Sequence, residues 1–187
     1  MQPSYKLTYK NQTMNTVLEN MKTRRSVRKF KSEMVPQEII DQIVEAGTFA
    51  ASGRDRQPWA FVVVTNKEIR DRLSAANASF LETPMADPFY GAPVIVAVLA
   101  DSSVPTYLYD GSMAIGNMML AAHALGVGSC WIHRAKEVFN EPEWKAWLEE
   151  IGVEGNYEGI GHLALGYSDG PEPTARPRKE GRVFRVE

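Results

Sequence analysis

Residues 107–125 carry the sequence YLYDGSMAIGNMMLAAHAL, which decides much of the fold. Apolar side chains cover most of the circumference that a helix would have here. A helix that is apolar nearly all round is a buried helix. Gly126 follows directly and is a suitable residue just beyond a helix C-terminus. We therefore predict a long helix that lies in the core, in a subunit interface, or in both.

Shorter segments on either side of this helix complete the expected architecture. Apolar runs predict buried strands at 60–65, 94–100, 128–133 and 160–167. Helical spacing predicts further helices at 13–24, after Pro36, after the N-capping Asn66, and at 137–151. Strands and helices are mixed without a regular βαβ rhythm, which favours an α+β layered fold.

The two ends of the chain differ from the rest. Residues 1–12 are polar and we expect them to form a loose arm. Residues 171–187 are rich in proline and cations and cannot build a core of their own. A strand over 183–186 would need another strand to pair with. We therefore expect the tail to extend onto a second subunit.

Composition bounds the class of protein. The chain has 187 residues, 44% of them hydrophobic, and a net charge of −2, as is usual for one globular domain, here 1–187. The single Cys130 excludes an internal disulfide and fits a reducing compartment. The N-terminus lacks the apolar core of a signal peptide, and the longest apolar stretch, 92–100, is too short to span a bilayer. We expect a cytoplasmic protein without a membrane partner.

Cations cluster near both ends of the chain. Residues 22–31 hold six of them and no acid, and the tail adds Arg176, Arg178, Lys179, Arg182 and Arg185. Arginine suits phosphate because its planar fork donates paired hydrogen bonds. The clusters suggest one local phosphate pocket, although a solvated basic surface would have the same composition. Nucleic-acid binding is not expected, because the overall charge is not basic and no recognisable module is present.

Two further segments could face a ligand. The loop 51–59, ASGRDRQPW, has small residues that let the backbone approach a flat molecule, and polar side chains that could contact ring edges. It could equally be a plain connection. Residues 126–133, GVGSCWIH, do not fit a dinucleotide fingerprint, because Trp131 replaces the third glycine and the segment leads from a helix into a strand.

Side-chain catalysis has no support in the sequence. The three histidines lack zinc-ligand spacing, the serines lack a nucleophile-elbow context, and no carboxylate pair stands out. We predict neither a catalytic side chain nor a metal site. A bound cofactor that carries the reaction would explain both this absence and the phosphate-binding clusters.

Four segments, in this order, resemble the FMN-dependent nitroreductase family over 16–186. They are RRSVRKF at 24–30, the loop 51–59, the segment 126–133, and RPRK at 176–179. The stretch CWIHRAK at 130–136 is similar to the small bacterial members. The resemblance implies a three-layer α+β fold with a mixed, mostly antiparallel sheet flanked by helices. It also implies a homodimer with an exchanged C-terminal strand and two tightly but non-covalently bound FMN molecules at the subunit interface.

The resemblance also implies the site residues. Arg24 and Ser26 would hold the FMN phosphate with Arg25 beside them, and Arg28 would lie near the N1–O2 edge and stabilise negative charge on reduced flavin. Three further groups complete the set of expected contacts. The phosphate would also be bound by Arg176, Arg178 and Lys179, and the partner subunit would contribute Ala51, Ser52, Gly53, Asp55 and Gln57. The flavin ring would be lined by Trp131, Ile132 and His133, with a backbone N–H near flavin N5. Ala51 and Asp55 stand where the family usually has proline and asparagine. An ionised aspartate only accepts hydrogen bonds, so Asp55 could accept from flavin N3–H or pair with Arg54 or Arg56.

The expected reaction is a ping-pong cycle. NADH or NADPH delivers hydride to flavin N5, and the oxidised nicotinamide leaves. A small-molecule acceptor then binds where the nicotinamide was; it could be a nitroaromatic, a quinone or an activated alkene. Three alternatives stay open: an FMN-binding carrier or regulatory module without turnover, a specialised member that fragments flavin or removes halogens reductively, and a flavin-free binder of a phosphate-rich ligand or nucleic acid. The connection 80–90 could be a substrate lid, given its prolines, small residues and aromatic pair.

Overall fold

A four-stranded antiparallel sheet forms the centre of the described chain. The computed structural model describes residues 15–171 and 173–187, so the expected arm at 1–12 lies outside the described residues. The strands are β1 (Trp59–Val64), β2 (Val94–Asp101), β3 (Gly128–Ile132) and β4 (Tyr157–Gly166). They are ordered β1-β2-β4-β3, and a bulge interrupts the β2–β4 register between Val98 and Leu99.

Helices cover both faces of this sheet. They are α1 (Thr16–Thr23), α2 (Gln37–Thr48), α3 (Lys67–Ser79), α4 (Tyr107–Ala124), α5 (Ala135–Asn140) and α6 (Pro142–Glu150). One core joins α2 and α4 to the sheet, and a second core joins α3, α5 and α6 to its other face. Apolar side chains that alternate along β2 enter the two cores in turn. The predicted three-layer α+β architecture is confirmed.

The basic segment 24–31 runs along the free edge of β3. Ser26 forms a parallel bridge with Ser129, and the Val27 amide donates to the Ser129 carbonyl oxygen at 3.0 Å. Farther on, Phe30 bridges Ser168 in antiparallel sense. The sheet is therefore mixed at this edge, and the cationic segment lies beside the strand that carries Trp131.

Most predicted boundaries hold to within a few residues. α4 ends at Ala124, and Gly126 follows it with a φ of 74°, a left-handed value that favours glycine. Asn66 caps α3 by accepting from the Ile69 amide at 3.0 Å. The predicted single helix 137–151 is wrong: Glu141 is extended, since the following Pro142 disfavours the helical conformation at that position, and α5 and α6 are separate helices.

α4 is buried on one side only. Gly111, Ala114, Ile115 and Met118 are buried in the chain, whereas Leu108, Tyr109 and Met113 are 48%, 69% and 50% exposed. In the tail, Val183, Phe184 and Val186 are exposed and residues 173–187 form no strand within the chain. Within 15–171 and 173–187, no helix has the length and hydropathy needed to cross a bilayer.

Candidate functional site

A pocket opens where the basic segment meets α4 and the start of β3. Its walls come from four parts of the chain, and the lining residues are Thr23, Arg24, Arg25, Val27, His123, Gly126, Val127, Gly128, Ser129, Ser168 and Pro173. The edge position of 24–31 beside β3 brings Arg24 and Arg25 to this place. Two of the predicted phosphate ligands therefore share one concave site.

The pocket is positively charged, because two of its lining residues are arginines with buried guanidinium nitrogens. Nη1 of Arg24 and Nε of Arg25 are buried and have no hydrogen-bond partner among the described residues, while Arg25 Nη1 donates to the carbonyl oxygens of Lys22 and Arg24, both at 2.7 Å. Burial, and then the neighbouring charge of Arg25, lower the pKa of Arg24. The described lining contains no carboxylate. Two cations held together without an acid have the charge and the donors that an anion site requires.

Ser26 and Arg28, on the same segment, lie close enough to the buried Cys130 thiol to influence its pKa. Burial raises the pKa of Cys130, and the Arg28 charge, a hydrogen bond with the Ser26 hydroxyl and the Arg24 charge oppose that rise. The thiol is almost fully buried and lies in the core with α3, α5 and α6. A packed thiol with a raised pKa is a poor nucleophile, so the site offers no cysteine chemistry.

At the end of β3, Trp131 and His133 are the exposed side chains. Trp131 is 46% exposed, and its ring centroid lies 5.6 Å from that of His133. Its indole crosses Gly161, where an added Cβ would stand 2.3 Å from Trp131 Nε1. Ile132 points to the opposite face and is buried with Cys130. Any contact that Ile132 makes with a ligand beside Trp131 would therefore come from its backbone.

The loop 51–57 has an unusual backbone. Arg54, Asp55 and Gln57 have φ values of 56°, 54° and 45°, a left-handed region that residues other than glycine occupy at some cost. Such strain is concentrated at functional sites. The Asp55 carboxylate accepts a hydrogen bond from Gln57 Nε2 at 2.7 Å. The structure shows this contact in place of an ion pair with Arg54 or Arg56.

A buried carboxylate on α4 anchors this loop. Asp110 is 4% exposed and accepts from the Gly53 amide at 3.1 Å and from the Thr106 hydroxyl at 2.7 Å. Sequence reasoning missed this role. The available signal was an acidic residue in the first turn of an otherwise apolar helix.

The predicted site residues fall into separate places within one chain. Ser52 and Gly53 are partly exposed, and Ala51, Asp55 and Gln57 are exposed. Arg176, Arg178 and Lys179 are exposed as well, and Arg178 donates to the Arg176 carbonyl oxygen at 2.6 and 3.1 Å. Within the described residues, only Pro173 of the tail lines the arginine pocket. The structure thus joins Arg24 and Arg25 to Ser129, which sequence reasoning did not select.

The connection 80–90 is only partly suited to act as a lid. Asp87 accepts from Arg70 Nη2, Ser74 Oγ and the amides of Phe89 and Gly91 at 2.6 to 3.0 Å. Phe89 is fully buried, and the Phe30 amide donates to the Tyr90 carbonyl oxygen at 3.3 Å. The second half of the connection is therefore fixed, and it supports the segment that carries Arg28. Only 82–86 forms a continuous exposed stretch.

A family model and a solved structure relate this chain to the same protein family. The family model described as Nitroreductase family matches residues 21–167. A solved structure of a nitroreductase with bound FMN from Bacteroides fragilis is 33% identical, with a TM-score of 0.82, and the alignment covers 93% of this chain and 100% of that one.

Two sequence relatives differ in the activity their names give. A protein of Methanothermobacter thermautotrophicus with NAD(P)H nitroreductase in its name is 39% identical over 119 residues, which are 62% of this chain and 59% of that relative. The iodotyrosine deiodinase of Thermotoga neapolitana is 24% identical over 186 residues, covering 89% of this chain and 96% of that protein.

Proposed function

The chain belongs to the nitroreductase family, and on that premise we propose that it is an FMN-dependent oxidoreductase. It takes electrons from NADH or NADPH and passes them to a small-molecule acceptor such as a nitroaromatic, a quinone or an activated alkene. The observation that carries this proposal is the pocket at Arg24 and Arg25, in which buried guanidinium nitrogens lack partners and no described lining residue is acidic. A phosphomonoester supplies the missing negative charge.

The described residues fit FMN on chemical grounds. Arg24 and Arg25 would hold the phosphate, Ser26 would lie beside it, and Arg28 would stand two residues farther along the same extended segment. Arg176, Arg178 and Lys179 would close on the phosphate from the exposed tail. The half-exposed Trp131 offers an aromatic surface beside β3 for a flat ring system.

When bound, FMN accepts a hydride at N5 and passes reducing equivalents to the acceptor, so the chain itself needs no nucleophile. The chain's residues would bind, orient and polarise. Arg28 would place a positive charge at the N1–O2 edge, where negative charge develops during reduction. The backbone of 131–133 would contact the N5 side, and the loop 51–57 would contact the ring of the flavin held by the other subunit.

A homodimer is part of the proposal. The strained loop 51–57 and the arginine pocket lie apart within one chain, and the family resemblance assigns them to one flavin from two subunits. The uncovered apolar face of α4, with Leu108, Tyr109 and Met113, supports burial against a second copy. The exposed 183–186 segment supports exchange of the tail onto the partner's sheet.

Anaerobic mixing tests the activity. The purified protein should show a flavin spectrum, and NADH or NADPH should bleach it within the time range of stopped-flow measurement. Subsequent addition of a quinone or a nitroaromatic should restore the colour. A protein that binds FMN but is not reduced by either nicotinamide would be a carrier or regulatory module, and the proposed activity would be wrong.

Reductive dehalogenation is a second candidate, favoured by the deiodinase relative. In that reaction two electrons and a proton replace a carbon–iodine bond with carbon–hydrogen and release iodide. Incubation of the dithionite-reduced holoprotein with iodotyrosine, followed by iodide measurement, tests it. Iodide release at a rate well above that of nitro or quinone reduction would make dehalogenation the main function.

A further inference from the structure

We propose that Ser129 is an additional phosphate ligand of the FMN site, donating its hydroxyl to the anion that Arg24 and Arg25 hold. The inference rests on the proposed function and concerns the same site. Ser129 lies in β3, outside the segments that the family resemblance assigns to the phosphate. Burial, backbone pairing and charge within the arginine pocket each support this role.

The hydroxyl of Ser129 is buried and unsatisfied. Ser129 is 2% exposed, and its Oγ has no hydrogen-bond partner among the described residues. A buried hydroxyl without a partner costs free energy comparable to a lost hydrogen bond, so native proteins rarely keep one without reason. Ser129 is a lining residue of the same pocket as Arg24 and Arg25, whose unpartnered nitrogens are buried like the Ser129 hydroxyl.

Backbone pairing accounts for the rest of the residue. Ser129 pairs with Leu165 in the antiparallel ladder, and its carbonyl oxygen accepts from the Val27 amide on the other side. The main chain is thus fixed from both sides, and the hydroxyl is the polar group left over. Replacing the whole side chain with the methyl group of alanine would leave the strand pairing intact.

Ser26 and Ser129 form a bridge pair but have different surroundings. Ser129 is among the residues that line the arginine pocket, whereas Ser26 is not and instead opposes the rise that burial causes in the pKa of the Cys130 thiol. Ser129 is therefore at least as well placed for the phosphate as the serine that the motif suggests.

Three donors match one phosphate group. A phosphomonoester carries close to two negative charges and three acceptor oxygens at neutral pH. Arg24 and Arg25 supply two positive charges, and Ser129 supplies a neutral donor that can rotate to a remaining oxygen. The group recognised is the phosphate, so a flavin without phosphate should not be affected by this hydroxyl.

Titration of the apoprotein with FMN and with riboflavin tests the inference. Ser129→Ala should raise the Kd for FMN about tenfold, the effect of one hydrogen bond to a charged group, and leave the Kd for riboflavin unchanged. Ser129→Thr keeps a hydroxyl on a strand-favouring residue and should restore most of the FMN affinity. Ser79→Ala is the control, because Ser79 lies on α3 outside the pocket and its hydroxyl donates to the Ala76 carbonyl oxygen at 2.8 Å.

The outcomes separate this inference from the proposed function. If Ser129→Ala binds FMN as the wild type does, or loses FMN and riboflavin affinity equally, Ser129 is not a phosphate ligand although the enzyme proposal stands. A Ser79→Ala variant that loses as much FMN affinity as Ser129→Ala would also overturn the assignment, because Ser79 lies outside the pocket. A wild-type protein that binds neither flavin overturns both proposals.

Discussion

The side-chain amide of Asn77 donates to the carbonyl oxygen of His133 at 2.7 Å and so ties α3 to the residue directly after β3. The same amide nitrogen lies 3.4 Å from Nδ1 of His162, which is fully buried against the rings of Phe89 and Phe139. A buried polar pair thus supports the end of the strand that carries Trp131. This contact fixes the backbone beside Trp131, the aromatic residue of the proposed flavin site, from the α3 side of the sheet.

His162 should make the stability of the protein pH-dependent. Burial lowers the pKa of His162 from 6.5 to about 3, partly offset by the hydrogen bond with His133. Between these values the unfolded chain binds a proton that the native chain does not, so the free energy of unfolding falls as pH is lowered from 6.5 toward 3. His162→Gln should remove roughly 2 kcal/mol of the decrease between pH 7 and pH 5, as measured by urea unfolding at fixed protein concentration. If the free energy of unfolding decreases equally in the variant and the wild type, His162 is not held in a buried neutral state.

Asp87 should stabilise the fixed half of the 80–90 connection. Burial pushes the pKa of Asp87 upward, but hydrogen bonds from Arg70, Ser74 and Gly91 outweigh it and hold the pKa below its ordinary value. The contribution is therefore complete above about pH 4 and is lost as pH falls through the lower native pKa. We expect Asp87→Asn to cost about 2 kcal/mol at pH 7, because the buried Arg70 then keeps only the more exposed Asp71 as a charge partner, and to cost less as pH falls below about 4.

Asp71→Asn is the matched control for this measurement. Asp71 also contacts Arg70, at 3.1 Å, but its side chain is 46% exposed. Exposed ion pairs contribute at most about 1 kcal/mol, so its replacement should cost clearly less than that of Asp87. A similar cost for both variants would show that the buried geometry of Asp87 gives no advantage.

Gly161 should control the position of the Trp131 indole. A Cβ at residue 161 would stand 2.3 Å from Trp131 Nε1 and 3.2 Å from Ile115 Cδ1. Gly161→Ala should therefore displace the indole and cost about 1–3 kcal/mol of unfolding free energy. In a Trp131→Ala background the same substitution should cost much less, which a double-mutant cycle measures. Additive costs would mean that the two residues do not interact.

The apolar face of α4 should be required for the dimer. Met113 is 50% exposed in the single chain, so Met113→Asp should leave the subunit folded. If that face is an interface, the buried charge should shift the protein to a monomer and abolish tight FMN binding. Analytical ultracentrifugation with a flavin titration measures both. Lys145→Asp, on the exposed side of α6, is the control and should change neither; a Met113→Asp dimer would place the interface elsewhere.

Local patterns predicted the layers of the fold well. α4 was predicted to within one residue, since its apolar character and the following glycine are properties of the stretch itself. The break at Glu141 was missed because Trp144, Trp147 and Leu148 suggested one helix, although Pro142 was a visible signal. Contacts between residues far apart in the sequence have no comparable local pattern. Asn77 and His133 are 56 positions apart, and Gly53 and Asp110 are 57 positions apart.

The candidate site was predicted in parts. The family-like spacing selected Arg24 and Arg25, and the structure brings both to one pocket. Ser129 was not selected, because a serine inside a strand resembles any other until its hydroxyl is found buried without a partner. In the proposed homodimer the loop 51–57 and the arginine pocket of one site would come from different chains, so a single chain would not display their contact.

Subunit complementation tests most directly whether one FMN is held by two chains. Arg24→Ala should damage the phosphate side of every site, and the double variant Asp55→Ala/Gln57→Ala should damage the side contributed by the partner. When the two weakly binding variants are unfolded together and refolded, half of the dimers should be mixed, and each mixed dimer should contain one intact site. FMN binding should then return to about a quarter of the sites. A mixture that binds no more FMN than the two variants kept apart would contradict the shared site.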